Sequence, residues 1–213
     1  MTTPFPASRS GEGRLWSVVL EHDSDLPDRG IHDLAPISAL VERLRRGEVA
    51  AIEVLYRQHQ ECVRAFATRL LGDAHAAEDL VHDVFVAAPA AFRRYHGDAT
   101  VRTFLLSIAT NHARHYVRSA ARRRAALHRL ADHRAQTREL TPADAAQRSE
   151  LAEELLRALD QLPVDQRIVV VLCEVEERSA SEVGQIVGAP EATVRTRLFH
   201  AKRKLRALLG AGP

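Results

Sequence analysis

Glu78, Asp79, His82 and Asp83 are the first side chains whose types and spacing could do chemistry. Asp79 and Asp83 stand four residues apart and share one face of a helix, with Glu78 and His82 beside them. That set suits a metal ion or a docking stripe for a cationic partner; a plain solvated face is the third reading. A helical carboxylate metal bundle draws repeated Glu and Glu-x-x-His pairs from several helices. Here the only comparable cluster, His112 with His115, has no carboxylate companion in its helix. The residues predict no metal centre, no cofactor and no catalytic constellation.

Two further groups point to nucleic acid. Tyr95, His96, Gly97, Asp98, Ala99 and Thr100 form a loop, followed by Arg102, Asn111, Arg114 and Arg118. A tyrosine and a histidine can stack on unpaired bases while arginines track a backbone; a tyrosine beside arginines also fits a capped core edge. Near the C-terminus, Val194, Leu198, Ala201, Leu205 and Leu208 recur at helical spacing and make one apolar stripe. The opposite face presents Thr196, Phe199, His200 and Arg203, flanked by Arg195 and Arg197. A major groove admits such a helix, and arginine can bind guanine edges or phosphates.

These groups need helices to hold them. Apolar residues from Ile52 to Leu70 recur at three, four and seven, predicting a long helix over 49–70. Gly72-Asp73 stops it and caps the next, 74–92, which Pro89 is expected to kink or end early. A third long helix is predicted over 101–127. Polar residues 128–148, broken by Thr141-Pro142, read as a linker. Leu151 to Leu162 form a helix, and Pro163 opens the next. Ser179 with Glu182 makes a capping box for a short helix over 180–187. The turn 188–190 then leads into the basic helix, which is helix-turn-helix geometry. No segment reads as a strand. The expectation is an all-α chain of two small helical domains, 37–127 and 149–210, joined by a flexible linker and preceded by a mobile extension over 1–36.

The 213 residues are 46% hydrophobic and 27% charged, as in ordinary soluble domains. No apolar run approaches the ~18 residues of a membrane span, and the N-terminus lacks a signal-peptide pattern, so the sequence predicts a cytoplasmic chain without membrane insertion. Cys62 and Cys173 stand far apart in apolar patterns and read as inert core thiols. The net charge of +2 conceals two basic blocks, 118–138 and 191–206, and one acidic block, 73–83. That asymmetry predicts two polyanion contacts and one cationic partner.

In order, the segments LYRQHQECVRAFATRLLGDAHAAEDLVHDVFVAA, TVRTFLLSIATNHARHYVR and LDQLPVDQRIVVVLCEVEERSASEVGQIVGAPEATVRTRLFHAKRKLR resemble the extracytoplasmic-function group of bacterial sigma factors. The resemblance covers about residues 48–125 and 150–209. It implies an alternative sigma factor, not an enzyme, whose partners are core RNA polymerase, promoter DNA and, in many relatives, a cognate anti-sigma factor. It gives Glu78, Asp79, His82 and Asp83 to the polymerase clamp. Tyr95 to Thr100 would capture a flipped base of the −10 element, with strand contacts from Arg102, Asn111, Arg114 and Arg118. Thr193, Arg195, Thr196, Arg197, Phe199, His200 and Arg203 would read the −35 duplex. Pro89 and Phe104 stand where the family usually has tryptophan, and His115 where it usually has aspartate. The competing reading is a stand-alone helix-turn-helix regulator with a helical interaction domain.

Overall fold

The structure, a computed structural model, describes residues 34–130 and 154–210. Most of the extension predicted over 1–36 and of the linker predicted over 128–148 lies outside the described residues. Four helices come first: α1 (Leu34–Arg45), α2 (Val49–Leu71), α3 (Ala74–Phe92) and α4 (Val101–Leu130). After them come α5 (154–160), α6 (Val164–Val170), a π-helical turn over Val171–Val175, α7 (Ala180–Val187) and α8 (Glu191–Leu208). Among the described residues there is no strand.

The junction of α2 and α3 follows from two side-chain choices. Gly72 adopts the left-handed conformation (φ 64°) and its N–H donates to the Thr68 carbonyl, which ends α2. The Asp73 carboxylate accepts from the amides of His75 and Ala76, satisfying donors that the first turn of α3 leaves open. Pro89 does not end α3, contrary to the sequence expectation; the helix runs on to Phe92. Proline removes one intrahelical donor and crowds the preceding turn. Three residues follow it in the helix, and Ala88 and Phe92 on either side are fully buried, so packing carries the chain through.

The core of the first four helices is formed by Leu55, Phe66, Leu70, Val81, Val84, Phe92, Leu105 and Leu106, all fully buried or nearly so. The first turn of α4 is closed by Thr100, whose carbonyl accepts from Phe104 N and whose hydroxyl accepts from Thr103 N.

In the C-terminal unit, the π turn is absent from the sequence reading. It lets Glu176 N donate to the Val171 carbonyl and leaves Glu177 in the left-handed region (φ 52°). The capping box forms as the sequence predicts: Ser179 Oγ accepts from Glu182 N, and the Glu182 carboxylate accepts from Ser179 N at 2.9 Å. Gly184 lies inside α7, where a Cβ would sit 2.8 Å from the Ala189 carbonyl oxygen. Only glycine lets the turn fold back that closely.

The two units lie against each other. Ile168, Leu172, Val183, Ile186 and Val187 belong to the same buried cluster as the N-terminal helices, and α4 packs along α7. A smaller cluster of Leu155, Leu159, Leu162, Ala201 and Leu205 ties α5 to α8.

Candidate polymerase and nucleic-acid interfaces

Helix α3 turns Ala77, Leu80, Val81, Val84 and Phe85 inward, which leaves Glu78, Asp79, His82 and Asp83 exposed together on the other side. Glu78 accepts from Arg64 Nε at 2.6 Å, and this carboxylate raises the Arg64 pKa further above its already high value. Asp83 Oδ2 lies 3.9 Å from His112 Nδ1. Val86, 65% exposed, extends the stripe by one turn beyond His82 and Asp83. Sequence reasoning passed over Val86, although its spacing of three from Asp83 and seven from Asp79 puts it on the same face. Among the described residues, no cluster of three or more His, Cys, Asp or Glu side chains converges on a point that could hold a metal ion.

The loop after α3 divides its residues into two sets. Tyr95 is buried; its ring meets Phe92 edge-on at 5.3 Å and Phe104 at 4.9 Å. Its hydroxyl donates to the Ala99 carbonyl, and Arg45 from α1 donates to the Tyr95 carbonyl. Burial, with Asp98 adding to it, pushes the phenol pKa up. His96, Gly97, Asp98 and Thr100 are exposed and Ala99 is half-buried. Tyr95 is therefore spent on the fold, and the loop above it is what faces solvent.

The arginines following the loop are distributed unequally. Arg102 Nε donates to Cys62 Sγ at 3.0 Å, and its Nη2 lies 3.8 Å from Glu176. Arg114 donates to Asn111 Oδ1, to Asp165 Oδ1 (both 2.8 Å) and to the Val187 carbonyl. Asn111 and Arg118 are exposed. With Arg114, His115, Asp165 and Arg197 they line an open cleft of about 470 Å³ between the units. Burial raises both thiols, that of Cys173 to about 11, so neither ionises readily near neutrality.

On α8, Val194, Ala201 and Leu205 are buried and the predicted reading face is outward. Arg195 is exposed and pairs with Glu191 one turn back; Arg203 is exposed too. The Thr196 hydroxyl donates to the Ala192 carbonyl, and Thr193 is half-buried. Phe199 is 63% exposed, with the His200 ring edge-on at 5.6 Å. Arg197 Nη2 lies 3.7 Å from Asp165 of α6, so this member of the face turns toward the preceding helix of its own unit. The sequence reading missed Asp165 and Glu176, whose partners lie 51 and 107 residues away in the chain.

The structure thus presents an acidic stripe on one helical unit, a basic helix-turn-helix on the other and an arginine-lined cleft between them. Known proteins give this arrangement its name. The profile of Sigma-70 region 2 matches residues 55–123, and that of Sigma-70, region 4 matches residues 152–205. The chain is 34% identical over 174 residues to the RNA polymerase sigma factor CarQ of Myxococcus xanthus, covering 80% of this chain and 95% of that one. It is 28% identical over 173 residues to the ECF RNA polymerase sigma-E factor of Escherichia coli, covering 78% and 90%. Its fold matches that of CnrH, solved in complex with the cytosolic domain of CnrY, with a TM-score of 0.55 and 28% identity over 82% of this chain and 97% of that chain. The chain thus belongs to the extracytoplasmic-function group of the sigma-70 family and is an alternative sigma factor, a protein that directs transcription initiation.

Proposed function

We propose that this sigma factor docks on core RNA polymerase through the α3 stripe and carries no chemistry of its own, phosphodiester synthesis belonging to the polymerase. Asp79, Asp83, Glu78 and His82 meet basic residues of the clamp, and Val86 adds apolar contact at the end of the stripe. The exposed loop from His96 to Thr100 receives the flipped −10 base, with Tyr95 beneath it as the residue that positions the loop. Arg102, Asn111, Arg114 and Arg118 hold the separated strand. The outward face of α8, from Thr193 to Arg203, reads the −35 duplex in the major groove. A captured base contributes about 1–3 kcal/mol by stacking, while unstacking costs a few kcal/mol. Phosphate contacts and the polymerase therefore supply the remainder of melting.

The protein works in the cytoplasm, where its polymerase is; among the described residues no helix is long and apolar enough to cross a membrane. A cognate anti-sigma factor is a further partner, as CnrH is seen bound to the cytosolic domain of CnrY.

The observation that carries this reading is the exposure of Asp79 and Asp83 on the face of α3 opposite its buried side chains. Reversing both charges leaves the core untouched. Asp79→Arg with Asp83→Arg is expected to lower affinity for core polymerase by at least about tenfold, with an unchanged circular dichroism spectrum. Normal polymerase binding by the folded double variant would remove the docking assignment.

A further inference from the structure

We propose that the cleft between the two units binds a free, compact polyphosphate. The ligand class is two or three linked phosphate groups, as in inorganic pyrophosphate or the phosphate tail of a nucleotide. The proposal goes beyond the strand assignment of Arg114 and Arg118, because it draws on cations from both units.

The cleft is open, with a volume of about 470 Å³, inside the range of about 300–1,000 Å³ typical of small-molecule sites. One wall is α4, which contributes Asn111, Arg114, His115 and Arg118. Spacings of three, four and seven residues put these side chains on one face of the helix. The other wall comes from the C-terminal unit: Asp165 at the start of α6, the turn over 187–189, and Arg197 of α8. Three arginines against a single carboxylate leave an excess of positive charge, and His115 adds to it when protonated. Clefts lined by one sign of charge focus that field on an anion.

Arg114 is the fixed point. Its Nε donates to Asp165 Oδ1 and its Nη1 to Asn111 Oδ1, both at 2.8 Å, and its Nη2 to the Val187 carbonyl at 3.3 Å. Each terminal nitrogen keeps a second N–H that these acceptors leave open. The guanidinium is therefore already oriented, which lowers the ordering cost of binding. Asp165 also lies 3.7 Å from Arg197, so cations of the two units converge beside one carboxylate. His115 and Arg118 are exposed next to them on α4. Arginine meets phosphate oxygens through paired N–H groups. Linked phosphates present oxygens at both ends, which is what cations on opposite walls require.

Binding is tested on the full chain by isothermal titration calorimetry with inorganic pyrophosphate, and with orthophosphate for comparison. Arg118→Ala, Arg197→Ala and Arg203→Ala are compared with wild type; Arg203 is exposed on α8 outside the cleft. One pyrophosphate per chain is expected, with orthophosphate weaker by at least about tenfold. Arg118→Ala and Arg197→Ala should each weaken pyrophosphate by about tenfold or more, while Arg203→Ala changes it by less than about twofold. Anisotropy of a short fluorescein-labelled DNA single strand, on the same variants, keeps the two roles of Arg118 apart. Loss of pyrophosphate in both cleft variants, with strand binding unchanged in Arg118→Ala, sustains the site and removes Arg118 from the strand assignment. Weakened strand binding in Arg118→Ala, with wild-type pyrophosphate binding in Arg197→Ala, overturns the site and leaves the strand assignment standing. No saturable pyrophosphate binding, or equal losses in all three variants, overturns the site outright.

Discussion

Tyr95 shows how a residue chosen for one role takes another. An aromatic beside arginines is compatible with base stacking, and its position before the loop makes it a natural candidate. The neighbours decide otherwise: Phe92 precedes it by three residues and Phe104 comes from the next helix, and together they enclose the ring. With its hydroxyl donating to the Ala99 carbonyl, Tyr95 holds both ends of the loop that carries His96 to Thr100. Tyr95→Phe keeps the packing and removes only that donor, so a loss of about 0.5–1.5 kcal/mol in folding stability is expected by urea denaturation. An unchanged midpoint would mean that the hydrogen bond does not fix the loop. Glu78 differs from Asp79 in a related way, because Arg64 already pairs with it, and in the proposed docking the polymerase displaces or shares that arginine.

At the scale of elements, the parts determined by neighbours in sequence were legible and those determined by distant contacts were not. Gly72 with Asp73, and Ser179 with Glu182, are local devices, and the helix ends fall where they stand. Helix α7 occupies the predicted 180–187 because its cap and its terminal Gly188 both act within two turns. Pro89 misled because the local penalty is real but smaller than the packing of Ala88 and Phe92 around it. The π turn had no sequence signal: five successive apolar residues from Ile168 to Leu172 fit a regular helix equally well. The consequence for stability is clearest at the capping box. Ser179→Ala is expected to cost about 1 kcal/mol at neutral pH. The Ser179 hydroxyl and amide hold the Glu182 carboxyl below its ordinary value of 4.5. A carboxyl lowered in the folded state stabilises above its unfolded value, and that contribution is lost as pH falls through the folded one. The half-exposed side chain keeps the term below about 1 kcal/mol. Denaturation profiles from neutral to acid pH should therefore fall less steeply in Ser179→Ala than in wild type. Parallel profiles would place the pH dependence elsewhere.

At the scale of the molecule, charge asymmetry and function agree. A net charge of +2 is too small to attract DNA by itself, yet the arginines are concentrated along α4 and α8 while the carboxylates of 73–83 stand apart on α3. This separation suits the proposal that one surface meets a basic polymerase clamp while others meet phosphate. The all-α architecture and its order of elements were readable from periodicity; the packing of one unit on the other was not, since it depends on pairs such as Arg69 with Glu176. The central claim is that the chain confers promoter choice on a polymerase, and it is tested most directly by transcription. Fragmented genomic DNA is transcribed by bacterial core polymerase with and without this protein, and the new 5′ ends are mapped. New starts preceded by shared −35-like and −10-like boxes are the predicted result. No new starts, with the protein binding DNA in the absence of polymerase, would contradict the account and identify a stand-alone regulator instead.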